Sequence, residues 1–509
     1  MTEEELHSPS NYDTNEVPFL PLQSVSVSKT VSIPGNSGGV KIPNTAGVSY
    51  QNWVITGLYA SPGKIVTVVS PARTIGQIKV QIGAHTDKLY GKEPLLRDPQ
   101  ISYSFDITQE TQKVGSPYGG LIIVRFTGPD NLSGDIFDIQ FDNVVEAPHF
   151  ILGQHTDEDW NDHIKNRPAP WAVFEIPNAI TFVVAARAEN KKGAKIPESV
   201  TPTLEEWKEY MRRQDKAAGV EDRPVAEILV LDSQISTGSM HSGYPMMANL
   251  NAVNQIFPPD GRSIDSTVQS VGIGHEVGHN MRKQSYYLNH VTVNMFFFYS
   301  LPGTRFLNAG TWGRGSRIFS YIKSGQPNII LDNANYDIWT DIMRIPLDGL
   351  DGSGWTNDGS WADFPDIIAS YKDLPREEHP DGMEEMTNLW VKKICEVKQM
   401  NMIKYFEFWG FSLTFSTKEV CNQYTEEPME VLSWIADIKH VAEDADGCQE
   451  GWYGYAKKCF NLSEERLTYD GAEDYCNSLG GGASLATLEN WKDALLADWT
   501  FFHSETAKQ

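Results

Sequence analysis

The residues best suited to chemistry stand in one short run, Gly274-His275-Glu276-Val277-Gly278-His279-Asn280. On a helix, His275 and His279 lie four residues apart on one face, where two imidazoles can grip one zinc ion. Glu276 then sits beside the metal as a general base, taking a proton from zinc-bound water as it attacks a carbonyl. Two histidines leave a tetrahedral zinc short of a protein ligand. The first candidate is His290, eleven residues after His279, at the start of His290-Val-Thr-Val-Asn-Met-Phe-Phe-Phe-Tyr299; no glutamate occurs between Glu276 and Glu377. Neutral imidazoles leave the charge of the metal unquenched and its water acidic. From the residues alone, His290 reads equally well as a surface helix cap.

A helix must carry this run. Asp265 or Ser266 is placed to cap it, and Gly272, Gly274 and Gly278, costly inside a helix, suit a close approach of backbone or substrate. Upstream, residues 1–30 are polar and without period, a flexible lead-in. From 31 to 148, short β-branched runs alternate with Gly and Pro: 53–59, 65–69, 78–82, 121–126 and 136–141. That rhythm predicts a β-sandwich. After Pro148 the pattern mixes: strands at 179–184 and 226–231 flank a charged amphipathic helix over 204–218. From 265 to about 440 helices dominate, notably 292–300, 383–398 and 430–442.

The 509 residues are 40% hydrophobic and 21% charged, an ordinary globular composition. The 42 basic residues against 67 acidic ones give 42 − 67 = −25, so the average surface repels phosphate backbones and nucleic acid is excluded as a partner. No run reaches the roughly 18 apolar residues of a transmembrane segment. The N-terminus, Met-Thr-Glu-Glu-Glu-Leu-His, lacks the layout of a secretory signal.

The helix run resembles the peptidase M-60, enhancin-like, mucin-degrading metallopeptidases, which share an H-E-x-G-H-N helix followed by a helix beginning Glu-Val-Thr-x-Asn. Further blocks carry the resemblance in the same order: Trp53 to Gly63, Val80-Gln-Ile-Gly-Ala-His-Thr-Asp87, Gly119-Gly-Leu121, Ala169-Pro-Trp171 and Met240-His-Ser-Gly-Tyr-Pro-Met246. It spans about residues 31–440. It implies a zincin (gluzincin-like) catalytic domain over 149–440, zinc as cofactor, and hydrolysis of peptide bonds in mucin-type glycoproteins. His241 and Tyr244 would line the cleft, contacting substrate or steadying an oxyanion. The departure falls on the third ligand, where His290 stands in place of the Glu of the family. The family also includes channel-associated factors, which implies a second class of function: a non-catalytic scaffold that binds a membrane channel or glycans. A decayed copy is a third reading, suggested by His290 and by the tail described next.

All five cysteines follow position 394. The last three, with Cys448-Gln-Glu-Gly-Trp-Tyr-Gly-Tyr-Ala-Lys-Lys-Cys459, Ala472-Glu-Asp-Tyr-Cys476 and Gly482-Ala-Ser-Leu-Ala486, resemble the opening half of a C-type lectin-like domain. That resemblance implies a Cys448–Cys459 disulfide, a partner for Cys476 beyond residue 509, and a truncated domain over 446–509 without the calcium and sugar ligands. Disulfides and the acceptor triplets at Asn131 and Asn461 favour an extracellular protein, with a cytoplasmic, membrane-associated location as the alternative. The expectation is a multidomain α+β chain: β-sandwich, mixed α/β catalytic domain and partial lectin-like fold.

Overall fold

A computed structural model describes principally residues 26–36, 50–127, 132–187, 196–264, 271–281, 289–300, 339–347, 363–428, 452–461 and 467–485, apart from isolated positions within them. The expected helix at 430–442 and the capping residues Asp265 and Ser266 lie outside the described residues. The chain divides into two compact units, Met1–Gln284 and Ser285–Gln509.

In the first unit, eight strands form one antiparallel sheet: β1 (Val27–Pro34), β2 (Trp53–Ala60), β3 (Ile65–Val69), β4 (Ile78–Ile82), β5 (Tyr103–Asp106), β6 (Thr111–Gly115), β7 (Gly120–Phe126) and β8 (Ile136–Glu146). Their order is β5-β4-β7-β2-β8-β3-β6, with β1 paired to β8. The first strand begins at Val27, inside the stretch expected as lead-in, because its residues pair along the whole first part of β8. At eleven residues, β8 is long enough to pair with β1 and β3 and, at its far end, with β2. The sheet therefore folds over a shared apolar core of Val66, Val80, Ile122, Val124, Ile139 and Phe141.

Six strands make a second, mixed sheet: β9 (His149–Ile151), β10 (Trp171–Ile176), β11 (Ile180–Ala185), β12 (Glu227–Asp232), β13 (Met240–His241) and β14 (Met246–Asn249). They run in the order β13-β14-β12-β11-β10-β9, with β12 parallel to both β11 and β14. Strand periodicity sorts side chains between layers. In β7, Ile122 and Val124 enter the first core, while Leu121 and Ile123 join a second core with Trp53, Trp171, Val173, Val183 and Val230. On the opposite face of the second sheet, Phe182 meets Trp207 at a ring separation of 5.4 Å. Trp207 belongs to the helix Thr201–Ala218, whose buried Leu204, Trp207 and Met211 recur at helical spacing and which closes with Gly219 in the left-handed region.

The Gly119-Gly-Leu121 block is a consequence of close packing. A Cβ on Gly119 would lie 2.5 Å from the Ala60 carbonyl oxygen, and one on Gly120 would lie 2.5 Å from the Gly83 backbone. Both residues also have positive φ, so only glycine fits without strain.

In the second unit, the helix Met383–Lys398 packs against Phe415–Cys421 and is joined to it by a Cys395–Cys421 disulfide. Closing a loop of this length stabilises by about 3 kcal/mol. A hairpin of Tyr453–Tyr455 and Lys458–Phe460 precedes the helix Tyr469–Ser478. Cys459 is disulfide-bonded; Cys448, its expected partner, lies outside the described residues.

Candidate metal centre and its surroundings

The Gly274–Asn280 run does form a helix, Val271–Met281. The helix is closely packed: a Cβ on Gly272 would meet the Gln255 amide at 2.6 Å, and the Gly274 carbonyl accepts from Gln214 Nε2 at 3.1 Å. The helical turn brings the Nε2 atoms of His275 and His279 to 3.1 Å, with the rings nearly perpendicular. Ligand nitrogens on a tetrahedral zinc stand about 3.3 Å apart, so the pair fits such an ion. His290 is the second residue of the helix Asn289–Tyr299. His275, His279 and His290 are each half-buried, and His290 lies in the second unit. A set of three imidazoles is a donor set that suits zinc.

Glu276 is buried, at 8% exposure. Burial pushes its carboxyl up to about 7, against the opposing pull of the His241 charge and a hydrogen bond from the Ser242 N–H. A carboxylate raised to neutral pH is matched to accepting a proton there.

The other buried residue of the motif, Asn280, anchors the helix. Its Nδ2 donates to Glu227 Oε2 at 2.9 Å and to the Gly243 carbonyl at 3.0 Å, while its Oδ1 accepts from the Gly243 N–H at 3.1 Å. Glu227 begins β12 and is fully buried. Its other oxygen accepts from Tyr50 Oη at 2.6 Å and Arg223 Nη1 at 3.0 Å, and Arg223 in turn pairs with Asp215. Thus the residue after the second histidine is fastened to a strand of the sheet and to the turn between β13 and β14.

That turn carries the two expected cleft residues. Both ring nitrogens of His241 are engaged: Nδ1 with the Ser242 carbonyl oxygen at 2.9 Å and Nε2 with Asp87 Oδ2 at 2.9 Å. Hydrogen bonding to Asp87 raises the His241 pKa, with burial opposing. For Asp87, burial works upward but is outweighed by His241 and the Ser236 N–H, which hold the carboxyl below its usual range. Both ring nitrogens thus face acceptor oxygens, which favours the protonated ring, and its charge pulls on the Glu276 carboxyl against burial. Tyr244 packs its ring edge-on against Tyr50 and Trp53 at centroid separations of 5.1 and 5.9 Å. Its hydroxyl accepts from the Trp53 N–H at 3.4 Å.

The sequence reading missed Asp87, Glu227, Arg223 and the role of Asn280. Asp87 and Asn280 close two of the blocks that carried the resemblance; Glu227 and Arg223 left no local signal.

Residues 143–410, more than half of the chain, match the family model described as Peptidase M60, enhancin and enhancin-like, and residues 30–141 match the N-terminal domain of M60-like peptidases. TRPM8 channel-associated factor 3 of Rattus norvegicus is 29% identical over 418 residues, which cover 77% of this chain and 42% of that protein. The chain spans about two fifths of the length of such curated relatives. Among solved structures, the catalytic module of the metalloprotease ZmpA from Clostridium perfringens aligns with a TM-score of 0.57 at 17% identity, covering 80% of each chain. The M60 catalytic domain of ZmpC from the same organism, in complex with the sialyl T antigen, aligns with a TM-score of 0.55 at 14% identity, covering 83% of this chain and 85% of its own. These structural likenesses are likenesses of fold. The family match over residues 143–410 makes this chain a member of the Peptidase M60, enhancin and enhancin-like family.

Proposed function

We propose that the chain is a zinc metallopeptidase that hydrolyses peptide bonds in mucin-type glycoproteins. The observation that carries the reading is the pairing, on one helix, of converging His275 and His279 ring nitrogens with the buried carboxyl of Glu276. His275 and His279 would hold zinc, with His290 as the third ligand in place of a glutamate. Bound there, zinc would polarise the scissile carbonyl and make the attacking water more acidic. Glu276 takes the proton of that water and passes it to the leaving amine. The protonated form of His241 favours the ionised form of Glu276, and Asn280 keeps the helix seated on the sheet. Tyr244 forms part of the cleft wall through its packing on Trp53.

The substrate class draws on the ZmpA metalloprotease and on the ZmpC domain bound to sialyl T antigen, and an extracellular setting draws on the Cys395–Cys421 disulfide. We assign residues 31–148 and 149–440 to the sandwich and peptidase domains. The hairpin and helix within 446–509 are consistent with a partial C-type lectin-like segment.

Substituting Glu276→Ala tests the mechanism. Cleavage of a mucin-type glycopeptide should fall by at least ~100-fold while zinc is retained, and surviving cleavage removes Glu276 as the base. A second reading rests on the relatives named TRPM8 channel-associated factors: a scaffold that binds a membrane channel. In that case the same variant binds TRPM8 as tightly as the parent, and the parent cleaves nothing.

A further inference from the structure

The loop between β4 and β5, in the N-terminal sheet, is fastened to the end of β12 and the segment that follows it at several points. Arg97 pairs with Asp232 through Nε and Nη2, at 2.9 and 2.7 Å, with both side chains almost fully buried. Gln234 accepts from the Leu96 N–H at 2.8 Å and donates to the Pro94 carbonyl at 2.9 Å. These contacts dock the loop without any help from Asp87. Asp87 does something different: its carboxylate accepts from the Ser236 N–H at 2.6 Å and reaches His241 Nε2 at 2.9 Å. Its own carbonyl is held by Arg97 Nη2 at 3.2 Å, so the carboxylate is presented from a rigid base.

His241 opens the turn whose Gly243 exchanges two hydrogen bonds with Asn280 of the motif helix. We propose that Asp87 is a positioning residue of the Glu276 site, holding the His241–Gly243 turn against the motif helix from a separate domain. The peptidase segment beginning at residue 143 is then incomplete by itself, because the N-terminal domain supplies a group that sets the place of Glu276. A docking contact alone would not require a second carboxylate aimed at this turn, since the Arg97–Asp232 pair already fastens the loop. The inference rests on the peptidase reading for its catalytic consequence and on geometry alone for the link itself.

Two measurements on the full chain separate these. The first is hydrogen exchange at residues 240–246, with strand β3 as internal control. Asp87→Asn should accelerate exchange in the turn by about tenfold and leave β3 unchanged, as expected for a lost charged hydrogen bond. An unchanged turn overturns the proposal whether or not the protein is a peptidase. The second is steady-state cleavage of a mucin-type glycopeptide by zinc-loaded protein. Asp87→Asn should lower kcat by ~10–100-fold with KM within about twofold and zinc content unaltered. Asp87→Glu should recover part of the loss, and Asp87→Asn combined with His241→Ala should be no worse than His241→Ala alone. Additive losses, or an effect on KM only, would overturn positioning of Glu276. A loosened turn in a protein whose parent form cleaves nothing supports the link and counts against the peptidase reading.

Discussion

The two sheets of residues 1–284 bury different things. The first encloses an apolar core, with Val66, Val80, Ile139 and Phe141 packed together. The second adds charge: Glu227 and Asp232, the two ends of β12, are 0% and 1% exposed, and each meets a buried arginine. Burying a charge is costly unless it is paired and hydrogen-bonded, and a well-packed apolar group is commonly as stable. The contrast teaches that charge is placed where position matters. Glu227 holds Asn280 of the motif helix, and Asp232 with Arg97 docks the loop that presents Asp87.

The contrast breaks most visibly at Arg223. Arg223→Ala leaves Glu227 and Asp215 buried without their cation, and urea unfolding should show a loss of about 3–5 kcal/mol together with weakened zinc binding. A loss under about 1 kcal/mol would mean that the network is structurally idle. Glu276 gives a pH-dependent test of the same idea. Its folded-state pKa of about 7 lies above the ordinary 4.5, so the folded protein binds the extra proton. The associated stability is complete below pH 4.5 and is lost as the pH rises through 7, to a total of about 3 kcal/mol. Metal-free Glu276→Gln should therefore be more stable than the parent at pH 8 by up to that amount and equal to it at pH 4, as read from thermal melts. An equal stability at both pH values would show that Glu276 is not desolvated. The smallest effect belongs to the first sheet: Ile139→Val should cost about 1 kcal/mol and leave zinc content unchanged. A change in zinc content there would erase the division between the sheets.

Much of the fold was legible where structure is local. Short β-branched runs bounded by Gly and Pro marked β2, β3, β4, β7 and β8, and helical patterning marked Met383–Lys398 and, from 204 onward, the helix Thr201–Ala218. The helix carrying His275, Glu276 and His279 was legible for the same reason, since a four-residue spacing needs nothing beyond the helical turn. What could not be read are links between distant positions. Asp87 and His241 are 154 residues apart, and Asn280 and Glu227 are 53 apart, so neither pair has a periodic signature. His241 was read as a cleft residue from the family resemblance, yet its ring nitrogens are both engaged, which only the folded turn reveals. Cysteine counting likewise put all five cysteines after position 394 without pairing Cys395 and Cys421; the packing of their two helices does so.

The most direct test of the metal centre is the zinc content of the purified full chain beside His290→Ala. The account predicts about one equivalent in the parent and a reduced or lost equivalent in the variant, since one of three imidazole ligands is gone. A parent that takes up no zinc after reconstitution would contradict it.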